Sequence, residues 1–283
     1  MSLSILTNVS AMQTEQNLLN SSNAVAKAEQ DLSSGLRINS AADDAAGYAI
    51  SEGLTSQING LSEASDNTND AISMVQTASS SVSNVQDMLQ RIYELGVQYN
   101  NGTNSTTDDT DIQDEVNQLT QEISRQQSSS NFNGINLLSG SAGSSGTVTF
   151  QVGANAGDTL SVTFSNIETS TMTAGFSWTQ ATTGGQVFNL GSSTALKDLT
   201  SAINALSSYA AELGAVQNRL QYTSDEISAT STNLSSTNSQ ITDVNMAQEM
   251  TTLTQQQVLE QAGTAMLSQA QSQPQMILKL LQG

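Results

Sequence analysis

The chain contains neither cysteine nor histidine, and it has only one proline and one tryptophan among its 283 residues. Without thiols and imidazoles, the sequence excludes disulfides, structural zinc sites, thiol catalysis and Ser-His-Asp hydrolysis. Aromatic residues make up only 4% of the chain, although such residues supply much of the area buried in a compact core. This composition favours helices that meet along narrow apolar seams, and it predicts an elongated molecule rather than a sphere.

Basic residues are also scarce, because 7 Lys and Arg stand against 26 Asp and Glu, for a formal charge of −19. Nucleic acids and anionic membrane surfaces both bind clustered Lys and Arg, so the sequence excludes both partners. No apolar run of about 20 residues is available to span a bilayer. Residues 1–6 lack the basic and apolar regions of a cleavable secretion signal. We expect a non-enzymatic protein with no catalytic residue, no metal site, no cofactor and no membrane insertion.

Apolar residues recur at helical spacing through most of the sequence. A stripe from Leu54 to Leu89 repeats close to every 3.5 residues, as in a coiled coil. A shorter stripe covers residues 112–123, and a third runs over residues 196–241. Because no proline occurs before Pro274, nothing interrupts these helices. The sequence therefore predicts long helices in both halves of the chain.

The middle of the chain has a different pattern. Residues 147–152 and 159–164 alternate polar and apolar side chains on either side of a glycine-containing turn, which is typical of a β-hairpin. Residues 165–194 predict only an irregular or short-stranded extension. The predicted fold is mainly α, an elongated coiled coil or helical bundle built from both chain ends with a small β-hairpin subdomain.

The two ends of the chain each carry an apolar helical face. A short helix cannot bury such a face alone, and isolated helices are marginal in water, so we predict that the ends pack when many copies assemble. The alternative is that the two terminal helices pack on each other within one monomer. We assign self-assembly to Ile5, Val9, Met12, Leu19, Met250, Leu253, Leu259, Met266, Leu280 and Leu281.

Residues 32–47 read LSSGLRINSAADDAAG and resemble the N-terminal signature of bacterial flagellins. Gly35 is expected to end one helix in the left-handed conformation, and Ser40 with Asp43 is expected to cap the next. Further segments are similar to flagellin motifs in the same order. These are residues 89–95, 101–105, 131–134, 151–155, 214–220 and 261–274.

The resemblance implies a subunit of the flagellar filament, exported unfolded and assembled into an extracellular helical tube. It implies a terminal coiled-coil domain from residues 1–42 and 237–283. It also implies a helical bundle with a β-hairpin from residues 43–167 and 195–236. The short insertion at 168–194 leaves little room for an outer domain. Implied partners are copies of the chain, the filament cap and junction proteins, and an export chaperone.

Two recognition surfaces are also implied by the resemblance. Gln90, Arg91, Leu95 and Glu115 match the region read by the Toll-like receptor that senses flagellin. The alternative is that Leu95 is a seam residue and that Arg91 takes part in ordinary helix-surface electrostatics. The chaperone would hold Ile277, Leu278, Leu280 and Leu281, which burial in the filament core explains equally well.

Three other functions compete with the filament subunit. A hook–filament junction protein shares the terminal pattern but would be a trace component. Some flagellins carry peptidase insertions, yet such an enzyme needs histidine ligands that this chain lacks. A coiled-coil adhesin or signalling rod predicts a soluble oligomer of fixed size, whereas a filament subunit predicts an open-ended polymer.

Overall fold

The structure is a computed structural model that describes residues 7–167 and 188–282, with side chains described as far as residue 273. Several predictions fall on other positions and lie outside the described residues. They concern Ile5, the insertion over 168–187, and the side chains of Ile277, Leu278, Leu280 and Leu281. Among the described residues, no helix is both long and apolar enough to cross a membrane.

Helices dominate the described chain, which confirms the prediction of a mainly α fold with a small β-hairpin. Two short antiparallel sheets lie between the third and fourth helices. The elements are α1 (Val9–Ser34), α2 (Ala45–Tyr99), α3 (Thr106–Ser129), β1 (Asn131–Phe132), β2 (Ile135–Asn136), β3 (Thr147–Gln151), β4 (Thr159–Thr163), α4 (Ala195–Thr242) and α5 (Met246–Gln282).

The chain forms two compact units. The terminal unit consists of Met1–Ser56 and Asn233–Gly283, and the central unit consists of Gln57–Thr232. The terminal unit thus joins the two ends of the sequence, and in it α1 packs against α5. The units divide the chain close to the domain boundaries predicted from sequence but not at the same residues, and those boundaries stay predictions.

The core of the central unit is a set of narrow seams, as the composition predicts. On α2 the buried residues recur every three or four positions, so one stripe of the helix faces the core. Helices α3 and α4 and the β3–β4 hairpin bury side chains in the same core. Its fully buried members include Val75, Val82, Leu89, Ile92, Val116, Ile123, Leu138, Phe164, Leu199 and Ala202.

Both sheets are two-stranded hairpins. In β3–β4, Thr149 pairs with Ser161 and Phe150 with Leu160, so the register matches the predicted alternation. The smaller β1–β2 hairpin was missed. It turns through Asn133 and Gly134, both at positive φ, and an Asn-Gly pair is the residue preference of a type I′ turn.

Helix ends follow local hydrogen bonding. Gly35 adopts the left-handed conformation at φ 75 and ends α1 as predicted. The predicted cap of α2 is wrong, because Asp44, and not Ser40 with Asp43, accepts the first backbone N–H groups, from Ala46 and Gly47 at 3.1 and 3.0 Å. Ser40 and Asp43 instead close the turn before the helix, with Asp43 accepting from the Ser40 N–H at 3.0 Å.

Candidate self-assembly and recognition surfaces

One side of α1 is turned towards the interior of the terminal unit. Seven of its buried and half-buried residues alternate at three- and four-residue spacing, which is the heptad pattern of a coiled coil, and Ala24, Lys27 and Asp31 lie next to this row. Most of these side chains are small or polar, so the seam buries little apolar area. The seven residues are Ala11, Thr14, Leu18, Ser21, Val25, Ala28 and Leu32.

The facing side of α5 has the same spacing and the same shortage of large apolar groups. A β-carbon added at Gly263 would lie 3.3 Å from Cδ1 of Leu18, so the two helices approach closely there. The seam also holds glutamates and a glutamine, which weakens it further. Its half-buried residues at this spacing are Glu249, Leu253, Gln256, Glu260, Gly263, Leu267 and Ala270, and Thr252 and Ser272 are half-buried beside them.

Five large apolar residues lie in this seam, namely Leu18, Val25, Leu32, Leu253 and Leu267. The other large apolar side chains described on the two helices are exposed. Their exposure ranges from 47% for Leu259 to 66% for Val9. The predicted self-assembly residues with described side chains are therefore exposed, except Leu253, which lies half-buried in the seam. Val258 was not predicted and belongs to the exposed set. This outer apolar face comprises Val9, Met12, Leu19, Met250, Val258, Leu259 and Met266, and Met246 at the start of α5 is also exposed.

The two terminal helices therefore do pack on each other within one chain, which is the alternative that periodicity left open. They do so through a seam that contains only Leu253 of the predicted self-assembly residues whose side chains are described. A monomer usually turns its larger apolar groups inwards, and a contiguous exposed set marks an interaction surface. The pairing within the chain thus leaves another side of both helices exposed.

The connection between the paired ends is held by backbone hydrogen bonds. The Arg37 N–H donates to the Thr242 carbonyl at 2.6 Å, and the Val244 N–H donates to the Gly35 carbonyl at 3.0 Å. The Arg37 guanidinium also donates to the Ile241 carbonyl at 2.7 Å. This carbonyl lies at the C-terminal end of α4, where the negative end of the helix dipole stabilises a cation. These bonds fix where α1 leaves the pair and where α5 enters it.

A polar network anchors the turn after α1. Lys27 lies 3.1 Å from the largely buried Asp31 and 2.6 Å from Asp43. The hydrogen bond from Lys27, together with bonds from the Asn39 and Ser40 backbone, lowers the pKa of Asp43 to about 2. The hydrogen bond with Asp43 raises the pKa of Lys27. Asn39 donates to Asp31 at 2.8 Å and completes the link.

On the central unit, Arg91 joins α2 to α3. Its guanidinium donates to Glu115 at 2.8 and 3.0 Å and to Glu94 at 3.3 Å, and the bond with Glu115 raises the pKa of Arg91. Gln90, Arg91 and Glu115 are exposed. Leu95 is only 2% exposed and lies in the core, as the seam alternative expects, and its role as a receptor contact stays a prediction.

Two buried glutamines of α3, missed from the sequence, hold the chain on either side of residues 168–187. Gln113 donates to the Phe188 carbonyl and accepts from the Leu190 N–H at 3.1 Å. Gln127 donates to the Asn166 side chain at 3.0 Å. Polar residues on a helix usually face solvent, so only tertiary structure reveals these anchors. In the described residues, no cluster of three or more acidic, histidine or cysteine side chains is placed to hold a metal ion.

A chain whose two ends pair through a thin seam and still expose several large apolar residues fits the class of self-assembling structural proteins. Family models agree with this class and define it further. The bacterial flagellin N-terminal helical region matches residues 5–143, and the bacterial flagellin C-terminal helical region matches residues 196–281.

Individual relatives match nearly the whole chain. A flagellin of Halalkalibacterium halodurans is 39% identical over 97% of this chain and 98% of its own length. The flagellar filament 33 kDa core protein of Treponema phagedenis is 41% identical with the same coverage. The crystal structure of Bacillus cereus flagellin is 25% identical, covers 57% of this chain and 88% of its own, and has a TM-score of 0.48. The chain belongs to the bacterial flagellin family, and it is a structural subunit of the flagellar filament.

Proposed function

We propose that this subunit polymerises by burying its outer apolar face against neighbouring copies. The observation that carries the proposal is the set of large apolar side chains that the pairing of α1 with α5 leaves exposed, from 47% for Leu259 to 66% for Val9. Each such side chain stabilises by roughly 1.5–3 kcal/mol when fully buried. Several of them together offset the entropy that is lost when the subunits are ordered.

The polymer is an open helical tube outside the cell. A head-to-tail contact repeated by every subunit continues indefinitely unless its rotation closes a ring. The subunit leaves the cell unfolded and folds at the growing tip. The absence of cysteine and the thin apolar seams suit this route, because no disulfide and little buried area must be undone before export. The proposal includes no enzymatic activity.

Polar substitutions on the outer apolar face test the assembly mechanism. Met12→Gln combined with Met266→Gln is expected to raise the subunit concentration needed for polymerisation at least tenfold, since two apolar groups of about 1.5–3 kcal/mol each are lost from the contact. Tyr222→Gln, at a 76% exposed position of the central unit, is the comparison. Equal polymerisation of the double variant and the unaltered chain, measured by sedimentation and electron microscopy, would contradict the proposal.

Further partners follow from the family resemblance. The filament cap and the junction proteins would contact the two ends of the polymer. A dedicated export chaperone would bind the C-terminal residues Ile277, Leu278, Leu280 and Leu281 before assembly covers them. Chains with Leu280→Ser and Leu281→Ser are then expected to be secreted poorly, and normal amounts in the culture medium would contradict this part of the proposal.

The exposed group of Gln90, Arg91 and Glu115 is the candidate surface for the innate receptor. Arg91→Ala is expected to weaken receptor activation by the soluble subunit while polymerisation is retained. Arg125→Ala is the matched control, because Arg125 is also ion-paired to an exposed glutamate on a helix, with its guanidinium bonded to Glu122. Equal signalling by the Arg91 variant and the control in a receptor-reporter assay would remove this surface from the proposal.

A further inference from the structure

Both polar atoms of the Asn8 side-chain amide form hydrogen bonds. Its Oδ1 accepts a hydrogen bond from the Ala11 N–H at 3.1 Å, which makes Asn8 the N-cap of α1. Its Nδ2 donates to the backbone carbonyl of Ala270 on α5 at 2.8 Å. One half-buried side chain therefore caps one terminal helix and contacts the other.

The acceptor at Ala270 has an unusual origin. Helix α5 continues from Met246 to Gln282 through Pro274, and a proline has no backbone N–H to give to the carbonyl four residues earlier. That carbonyl belongs to Ala270. A helix carbonyl that lacks its partner away from water destabilises the structure. Asn8 supplies the donor that Pro274 cannot supply.

Asn8 lies far from the other fixed point of the helix pair. From Asn8 to Gly35, where backbone bonds join the ends, a helix rises roughly 40 Å. Between these points the seam consists mostly of small and polar side chains, which specify the alignment of two helices weakly. In coiled coils, a single buried asparagine is a known means of fixing register.

We propose that Asn8 is a positioning residue that clamps the far end of the α1–α5 pair, and that Pro274 creates the acceptor it needs. The clamp holds Val9 and Met12 of α1 in a fixed alignment with Met266 of α5. Each copy then presents the same outer apolar face to its neighbours. This inference goes beyond assembly itself, since a chain without the clamp still carries that face.

The test distinguishes the donor Nδ2 of Asn8, which bonds to Ala270, from the acceptor Oδ1, which caps α1. Asn8→Ser keeps an N-cap oxygen but removes the donor to Ala270. In filaments of the full chain, backbone amides of residues 9–20 are expected to exchange with deuterium about fivefold faster, as for the loss of one net hydrogen bond. Residues 24–34, near the backbone connection, are expected to change by less than about twofold.

Pro274→Ala supplies the matched background. An alanine at 274 donates its own N–H to Ala270, so Asn8→Ser is expected to change exchange of residues 9–20 by less than about twofold in this background. Asn8→Ala also removes the cap, so this substitution is expected to speed the exchange of residues 9–20 even in the Pro274→Ala background. Asn17→Ser, at an exposed position of α1, controls for the substitution itself.

An equal effect of Asn8→Ser in both backgrounds would overturn the clamp and leave Asn8 as a simple cap. If the Asn8→Ser chain does not polymerise, the double variant decides. Recovery of filaments with Asn8→Ser and Pro274→Ala supports the coupling, and continued failure overturns it. The unaltered chain is polymerised in parallel, so a failure of assembly itself is seen separately.

Discussion

Asp43 ties the turn before α2 to the first helix through its bond with Lys27. Its pKa in the folded chain is about 2, below its ordinary value of 3.8. The folded state therefore binds this proton less readily than the unfolded state does. The contribution of the carboxylate to stability is complete above about pH 4 and is lost as the pH falls towards 2.

Asp43→Asn should lower the melting temperature of the terminal unit at neutral pH, because Lys27 loses a charged acceptor. The difference between the variant and the unaltered chain should shrink as the pH is lowered from 4 to 2. Circular dichroism melts across this range measure both effects. Asp87→Asn, which removes an exposed carboxylate from α2, should show no such convergence, and a constant difference for Asp43→Asn would contradict the assignment.

Arg91 and Leu95 lie one helical turn apart on α2 and should respond to alanine very differently. The ion pair of Arg91 with Glu115 is half exposed, with side chains 50% and 45% accessible, so Arg91→Ala should change the free energy of unfolding by less than about 1 kcal/mol. Leu95→Ala removes a fully buried side chain and should cost roughly 2–5 kcal/mol. Urea unfolding distinguishes them, and similar losses for both would refute the placement of Leu95 in the core.

At the scale of elements, the anchoring of α3 to the chain after residue 187 depends on Gln113. Gln113→Leu removes its bonds with the Phe188 carbonyl and the Leu190 N–H. Breaking two hydrogen bonds in a buried site should lower the free energy of unfolding by roughly 2–4 kcal/mol. Gln118→Leu, at an exposed position of the same helix, should change it by less than about 0.5 kcal/mol. Denaturant unfolding of both variants measures the difference.

Periodicity predicted the long helices and the β3–β4 hairpin because their buried residues repeat along one face. It did not identify the inner seam of α1, because Thr14 and Ser21 interrupt the apolar signal of that face and the competing stripe with Val9 and Met12 is exposed. Capping was predicted at Gly35 but misassigned for α2, because several Ser and Asp residues in a row can each cap and only the backbone geometry selects Asp44. Burial of Leu95 follows from the α2 stripe and could have been derived.

At the scale of the whole molecule, the charge of −19 opposes assembly, because identical subunits repel one another. Raising the ionic strength from 0.01 to 0.15 M shortens the screening distance from about 30 to about 8 Å. Polymerisation should therefore accelerate and require less protein as salt is added, which light scattering can follow. Sucrose at matched osmotic strength is the control, and slower polymerisation in salt would show that attractive ion pairs dominate the contact.

The three- and four-residue alternation of the main seam residues in the terminal unit has a geometric consequence. A repeat of 3.5 residues falls short of the 3.6 of a straight α-helix, so two helices that follow it wind around each other with a left-handed twist. Over the 26 residues of α1, a supercoil pitch of about 150 Å corresponds to roughly a quarter of a turn. Val9, Met12 and Leu19 keep the same repeat, so the outer apolar face also follows a shallow left-handed spiral. A neighbour that follows this face must cross the pair obliquely rather than lie alongside it.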